Sequence, residues 1–302
     1  MMDQVIKNTS SESRCSALSK LLETGSGVRV IEVHSPLCAL LVENIFHMKN
    51  GFRMEFDAFW SSSLTDSTIL GKPDIELVGF SDRLDSVADI FGVTTKPLIF
   101  DADTGGLAEH LCHHVRTAER LGVSAFIIED KTGLKKNSLF GTEVFQTQAS
   151  ITEFSEKIAL VKKSQLGSDF LLIARVESLI LEAGMQDAMN RALAYVDAGA
   201  DGIMIHSREI SPFQVLEFAR IFRSYHSRVP LVCVPTTFND IHYDALIEAG
   251  FNIVIYANHL LRAAYPAMHF VASQILKNGC TAGIEKHCLA INDILNLIPG
   301  TR

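Results

Sequence analysis

Eight short runs of apolar and β-branched residues, separated by segments with helical periodicity, constrain the fold of this chain more than any other feature. The runs occupy residues 28–33, 53–60, 97–103, 125–130, 170–177, 202–206, 230–235 and 252–257. Because their apolar character is nearly continuous, they predict parallel strands covered by helices. Eight such repeats predict an α/β fold of the (β/α)₈ barrel type. An open doubly wound sheet is the alternative, but no GxGxxG sequence follows the first run.

The periodic segments predict the helices and the limits of the domain. Helical periodicity covers residues 107–121, 151–163, 185–198 and 212–224, and further helical stretches follow at 260–276 and 289–297. The helices after the eighth run exceed what a minimal barrel needs, so we expect them to pack on another subunit. Residues 1–20 are polar and serine-rich and are expected to be flexible, which leaves 21–302 as a single barrel domain.

Composition excludes several classes of partner. The net charge is −8, and no basic run is long enough to follow a phosphate backbone, so nucleic acid is not expected to bind. The six cysteines have no CxxC spacing, which is typical of unpaired thiols in a reducing compartment. No apolar run reaches the ~20 residues that span a bilayer. We therefore expect a cytoplasmic protein without a membrane segment.

Two acidic residues end the third apolar run. Asp101 and Asp103 follow four apolar residues, and side chains at i and i+2 of a strand point to the same side. Carboxylate oxygens at this spacing are typical Mg²⁺ ligands, because Mg²⁺ takes one or two carboxylates and keeps several waters. The alternative is that Asp103 or Thr104 caps the helix that follows.

The fourth run ends in three charged residues at the same predicted rim. Glu129 or Asp130 could complete the outer shell of the magnesium through water, and Lys131 follows directly. A simple salt bridge between one of these acids and Lys131 is the alternative.

The fifth and sixth runs also end in polar residues. Arg175 interrupts an apolar run, so its guanidinium must be paired or must hold an anion. Phosphoryl or carboxylate oxygens are the anions expected beside magnesium, whereas an internal ion pair with Glu177 is the alternative. His206 ends the sixth run and could bind a phosphoryl oxygen or fill a polar core position. The polar segment 132–142, with glycine near both ends, has the composition of a mobile lid or of an ordinary surface loop.

These residues resemble a known family. Glu129-Asp130-Lys131, five residues and then Asn137-Ser138 match the EDKx₅NS pattern of phosphoenolpyruvate mutases, in the isocitrate lyase/PEP mutase superfamily. The similarity extends over roughly residues 20–297. Further matching segments are 60–64, 70–74, 101–105, 174–177, 199–202, 206–207 and 257–259.

The resemblance implies a barrel whose eighth helix is exchanged with a neighbouring subunit, in a homo-oligomer built as a dimer of dimers. It implies Mg²⁺ held chiefly by Asp101, with Asp103 and Glu129 acting mainly through water. The same likeness implies substrate contacts for the following residues: Arg175 and His206 at the phosphoryl group, backbone amides of Ser62, Ser63 and Leu64 at the carboxylate, Trp60 and Lys131 at the substrate, Asp74 near the reacting centre, and Asn137 and Ser138 on the lid.

The implied reaction interconverts phosphoenolpyruvate and 3-phosphonopyruvate, and a downstream enzyme such as a phosphonopyruvate decarboxylase is expected to consume the product. The same resemblance leaves phosphonopyruvate hydrolase as a rival, although that enzyme typically has threonine where this chain has Asn137. A lyase of the isocitrate or methylisocitrate type is disfavoured because the lid lacks its cysteine. Two departures from the family are Ser63 in place of glycine and Gly106-Leu107 in place of Tyr-Gly.

Overall fold

A computed structural model describes residues 6–300, and within that range eight parallel strands close into a barrel. Each strand pairs with its neighbours in chain order, and β8 closes the ring against β1. The strands are β1 Val28–Glu32, β2 Ala58–Ser61, β3 Leu98–Asp101, β4 Ala125–Glu129, β5 Leu171–Val176, β6 Gly202–Ile205, β7 Leu231–Cys233 and β8 Ile253–Tyr256. The predicted barrel is confirmed. The second strand begins later than expected, because His47–Lys49 and Phe52–Met54 pair with each other outside the barrel.

The helices between the strands follow the predicted periodicity to within a few residues. They are α1 Ser11–Cys15, α2 Ala17–Glu23, α3 Pro36–Asn44, α4 Ser63–Ile69, α5 Phe80–Phe91, α6 Ala108–Leu121, α7 Ile151–Ser164, α8 Gly184–Asp197, α9 Phe213–Tyr225, α10 Tyr243–Glu248, α11 His259–Asn278 and α12 Ile291–Leu295, with 3₁₀ turns at Ser138–Glu143 and Glu285–His287. Their apolar stripes pack on the barrel, as Leu111, Val115 and Ala118 of α6 show.

Strand alternation divides the core into two layers. Val30, Ile99 and Ile127 belong to a cluster that fills the barrel interior, whereas Phe100 and Phe126 belong to the larger layer between strands and helices. Both faces of each strand are therefore apolar, which is why the strands have continuous apolar sequences.

The described part of the N-terminal segment is helical and packed, whereas its composition predicted a flexible chain. Residues 1–5 lie outside the described range, but α1 and α2 form helices, and Leu18 is fully buried with the interior cluster. Arg14 is also buried and donates to the carbonyl oxygens of Phe91 at 3.1 Å and Thr94 at 2.6 Å. These contacts close the amino-terminal end of the barrel. The polar composition of the segment gave no indication of them.

Helix α11 differs from the other long helices because none of its residues is buried in the isolated chain. Its exposed apolar side chains include Tyr265, Met268 and Leu276. No helix within residues 6–300 combines the length and apolar character needed to cross a bilayer. The exchange of this helix between subunits stays a prediction.

Candidate active site

The carboxyl ends of the strands surround a cavity of about 60 Å³. It brings together the predicted site residues except Asp103 and Lys131, which do not line the cavity but contact residues that do. The predicted residues that line it are Trp60, Ser62, Ser63, Leu64, Asp74, Asp101, Glu129, Asn137, Ser138, Arg175 and His206. Their convergence follows from barrel geometry, because strand ends from distant parts of the sequence meet at one rim.

Asp101 and Asp103 lie together, but not through the strand alternation that we expected. Strand β3 ends at Asp101, and Asp103 has a φ of 54° in the left-handed region. This turn lets the Asp103 amide donate to Asp101 Oδ1 at 3.3 Å. The capping alternative is wrong, because α6 begins at Ala108 with Leu107 in the N-cap position. Neither carboxylate therefore serves as the cap of α6.

Arg83 supports the acidic pair from below, and the sequence analysis did not identify it. Its guanidinium donates to the Asp101 carbonyl oxygen at 2.6 Å, to Asp66 Oδ2 at 2.8 Å and to Asp103 Oδ2 at 3.4 Å. Arg83 is buried on the same face of α5 as Val87 and Ile90. A charged residue on an otherwise apolar helical face was the available signal, because a buried arginine requires acidic partners.

Lys135 is the second site residue that was missed. Its ammonium nitrogen lies 2.5 Å from Asp74 Oδ1, 2.5 Å from Ser63 Oγ and in contact with Asp103 Oδ1. Burial alone would lower the pKa of Lys135, but the carboxylates of Asp103, Asp101 and Asp74 raise it above its ordinary value. The lid therefore delivers a permanent positive charge to the acidic residues.

The acids respond differently to these cations. Burial would raise the pKa of Asp101, but the charges of Lys135, Arg175 and Arg83 hold it below its ordinary value. Burial raises the pKa of Asp103 to about 6 and that of Glu129 to about 7. Asp101 is thus the most firmly ionised of the three predicted metal ligands.

Arg175 takes part both in an internal ion pair and in the cavity wall. Its Nε lies 2.5 Å from Glu177 Oε1, and its Nη2 lies 3.2 Å from Glu129 Oε2 and 2.6 Å from Ser138 Oγ. His206 Nδ1 lies 2.9 Å from Arg175 Nη2 and 3.2 Å from Glu177 Oε1. Burial and the Arg175 charge lower the pKa of His206, so its imidazole is neutral near pH 7. The ion pair orients the guanidinium without removing it from the cavity.

Asp130 points away from the cavity. Tyr195 donates to its Oδ2 at 2.7 Å, Gln148 at 2.9 Å and Arg191 at 3.4 Å. Burial raises the pKa of Asp130 to about 6. Of the two neighbouring acids, only Glu129 remains a candidate for the outer shell of a metal.

The predicted lid, residues 132–142, belongs to a loop that begins and ends in a short antiparallel pair, Lys131–Thr132 with Thr147–Gln148. Lys131 does not line the cavity, contrary to its expected substrate contact. Its ammonium donates to the Lys136 carbonyl oxygen at 2.7 Å and to Ser138 Oγ and Gln146 Oε1 at 2.9 Å. It also lies 3.1 Å from Glu129 Oε1, which is the salt bridge considered as the alternative. Lys131 thus holds the base of the lid.

The predicted acids have the chemistry of a magnesium site. Asp103 Oδ1 and Glu129 Oε1 are buried, and beyond the lysine ammonium that each one faces they accept no hydrogen bond from a described residue. No three His, Cys, Asp or Glu side chains within residues 6–300 converge as a complete ligand set. Magnesium does not require one, because it usually binds one or two carboxylates and retains water. Asp101 as the direct ligand, with Asp103 and Glu129 acting through water, therefore fits these residues.

Comparison with known proteins supports the family resemblance over most of the chain. The model of a family described as phosphoenolpyruvate phosphomutase matches residues 18–276. The phosphonopyruvate hydrolase of Variovorax sp. (strain Pal2) is 35% identical over 283 residues, which is 93% of each chain. The crystal structure of a phosphoenolpyruvate phosphomutase from Streptomyces platensis subsp. rosaceus is 36% identical, covers 94% of each chain and has a TM-score of 0.84. A phosphonopyruvate hydrolase structure in complex with oxalate and Mg²⁺ is 33% identical, covers 96% of this chain and 95% of its own, and has a TM-score of 0.82.

Proposed function

Because this chain belongs to the phosphoenolpyruvate phosphomutase family, we propose that it interconverts phosphoenolpyruvate and 3-phosphonopyruvate with Mg²⁺ as cofactor. In this isomerisation the bond from phosphorus to the enol oxygen breaks, a bond from phosphorus to C3 forms, and the enol oxygen becomes a ketone. No proton, water or redox partner is consumed. Catalysis therefore requires positioning, charge stabilisation and the exclusion of water.

The observation on which this proposal depends is the position of Asn137 on the lid. Its Nδ2 donates to Asp74 Oδ2 at 3.0 Å, and its Oδ1 accepts from the Leu139 amide at 3.0 Å. The amide is thus fixed at the cavity wall from both ends. An amide cannot act as a general base at neutral pH, so Asn137 can hold a phosphoryl group in place without activating water.

The phosphoryl group fits the positive side of the cavity. Arg175 presents guanidinium donors there, and the neutral imidazole of His206 lies beside it. The Ser138 hydroxyl completes this side from the lid. Arginine suits this role because its planar donors match phosphoryl oxygens, and it keeps its charge throughout the reaction.

We assign the carboxylate end of the substrate to the part of the wall formed by the start of α4. Ser62 and Leu64 line that wall at the start of α4, and Trp60 Nε1 is buried without a hydrogen-bond partner among the described residues. The Ser63 amide faces Asp101 Oδ2 at 3.4 Å, so it is less available to the substrate than we expected. Bound Mg²⁺ would stabilise the negative charge that develops on the enolate oxygen.

Phosphorus NMR of purified protein with phosphonopyruvate tests the proposal. We expect a phosphoenolpyruvate signal in the presence of Mg²⁺ and none with EDTA. Inorganic phosphate as the only phosphorus-containing product would mean that the chain is a hydrolase, as its Variovorax relative is named. No reaction with phosphonopyruvate or phosphoenolpyruvate would contradict both activities and would direct attention to lyase substrates.

Two partners follow from the proposed function. We expect a homo-oligomer in which α11 packs on a neighbouring subunit, because its apolar side chains are exposed in the single chain. Light scattering after size exclusion chromatography measures the oligomeric state directly, and a monomer would contradict this expectation.

We also expect a downstream enzyme that consumes phosphonopyruvate, because the equilibrium is expected to favour phosphoenolpyruvate. Accumulation of phosphonopyruvate by the purified enzyme alone would contradict that dependence.

A further inference from the structure

The Lys135 ammonium contacts the acidic residues in the way that a bound metal cation would. Its ammonium meets oxygens of Asp74, Asp103 and Ser63, and its side chain is 5% exposed. Ser63 Oγ also donates to Asp101 Oδ2 at 3.0 Å, so one hydroxyl links the lid lysine to the proposed metal ligand. These contacts connect the lid with Asp74, in the loop between α4 and α5, and with Asp101 and Asp103 at the carboxyl end of β3.

We propose that Lys135 is an internal counter-cation that competes with Mg²⁺ for the acidic residues, so that lid closure and metal binding oppose each other until an anionic ligand enters. This inference rests on the proposed function, because it uses the magnesium site assigned there. It adds an order of events: the metal alone loosens the lid, and the metal together with an anion closes it.

The charges of the described residues support this competition. Asp103 pairs with both Arg83 and Lys135, and Asp74 pairs with Lys135. The charges of Lys135, Arg175 and Arg83 all act on Asp101. A divalent ion at Asp101 would add two positive charges close to the Lys135 ammonium in a buried site, where like charges repel more strongly than in water. A dianionic ligand would offset that excess and allow both cations to remain.

Ser63 makes this arrangement particular to the present chain. Its hydroxyl accepts from Lys135 Nζ at 2.5 Å while it donates to Asp101. The related pattern has glycine at this position, which offers neither contact. The serine therefore gives the lid lysine an additional oxygen and links it through one hydroxyl to the Asp101 carboxylate.

Calorimetric titration with Mg²⁺ in the absence of substrate tests the competition. We expect Lys135→Met to bind Mg²⁺ about tenfold more tightly than the wild type, which is a typical size for coupling between two sites. Lys136→Met is the matched control, because this lysine is the next residue of the same lid and no ion pair of its ammonium occurs within residues 6–300. We expect its affinity to equal that of the wild type. Unchanged or weaker binding by a folded Lys135→Met variant would overturn the proposal.

Hydrogen exchange of the lid in the wild type provides a test that needs no variant. We expect Mg²⁺ alone to speed exchange of residues 134–140, and Mg²⁺ with oxalate to slow it below the level without metal. Slower exchange with Mg²⁺ alone would overturn the proposal even if Lys135→Met failed to fold. Both readouts are independent of turnover. Failure of the phosphorus NMR test therefore contradicts the proposed function, whereas failure of these measurements contradicts only the competition.

Discussion

The Asn137 amide donates to the Asp74 carboxylate at 3.0 Å, and this bond joins the lid to the loop between α4 and α5. The neighbouring Lys135 uses the other oxygen of the same carboxylate, so Asp74 receives both lid residues. Asp74 therefore receives two of the side-chain contacts of the lid segment, beside those that Lys135 makes to Ser63 and Asp103. Because Asp74 lines the cavity, the contacts that close the lid also shape the site.

Asn137→Thr should divert the reaction toward hydrolysis. Threonine loses the hydrogen bond to Asp74 and the fixed amide, and it leaves space and a hydroxyl that can order water. We expect mutase activity to fall at least tenfold, with phosphate appearing as a new product in phosphorus NMR. Asn137→Ala separates the loss of the amide from the added hydroxyl. An unchanged product ratio in the threonine variant would show that Asn137 does not protect the phosphoryl group.

Arg175→Lys should reduce turnover without preventing folding. Lysine keeps the charge near Glu177 but cannot maintain contacts to Glu129 and Ser138 from one planar group. We expect kcat to fall about 10²-fold, the scale seen when a transition-state donor is removed. The control is Arg208→Lys, because Arg208 does not line the cavity. Equal losses in both variants would argue against a specific role for Arg175.

Arg83→Met should weaken both stability and magnesium binding. It leaves the buried Asp66 and Asp103 without their shared partner and frees the Asp101 carbonyl oxygen. We expect the free energy of unfolding to fall by about 3–5 kcal/mol, as measured by chemical denaturation. Arg83→Lys should recover part of the stability, and calorimetric Mg²⁺ affinity should follow it. Full affinity in a folded methionine variant would mean that Arg83 does not position the acids.

Asp130 should make stability depend on pH in the acidic range. Burial raises its pKa from 3.8 to about 6, so the folded protein holds this proton more tightly than the unfolded chain does. Asp130 therefore lowers the free energy of unfolding as the pH rises from 3.8 to about 6, by about 3 kcal/mol at most, with no further change above. Asp130→Asn should remove this part of the slope, whatever its absolute stability. Denaturation curves between pH 4 and pH 7 measure both slopes, and identical slopes would contradict the assignment.

The barrel could be predicted from the sequence because each strand is buried on both faces. Val30 and Phe100 are apolar for different reasons, one inside the barrel and the other beneath the helices. Continuous apolar runs of this kind record burial directly, and their number and spacing record the architecture. The polar residues at the ends of the runs likewise indicated the site, since the carboxyl ends of parallel strands share one rim.

The N-terminal segment shows where composition was insufficient. Its serines predict a polar and flexible chain, but Arg14 finds the carbonyl oxygens of Phe91 and Thr94, and Leu18 enters the barrel interior. Such partners are distant in sequence, so no local pattern reveals them.

The sequence by itself determined the eight-stranded barrel, the family and most of the polar residues that line the cavity, because hydrophobic periodicity and short motifs are local properties. Only the tertiary structure decided what each charged residue does there. Lys131 supports the lid while Lys135 meets the acids, and Asp130 turns outward while Glu129 faces Arg175. Neighbouring residues of the same type received different roles because the direction of a side chain and its partners depend on segments far away in the chain. Electrostatic interactions act through space, and the sequence order does not contain those distances.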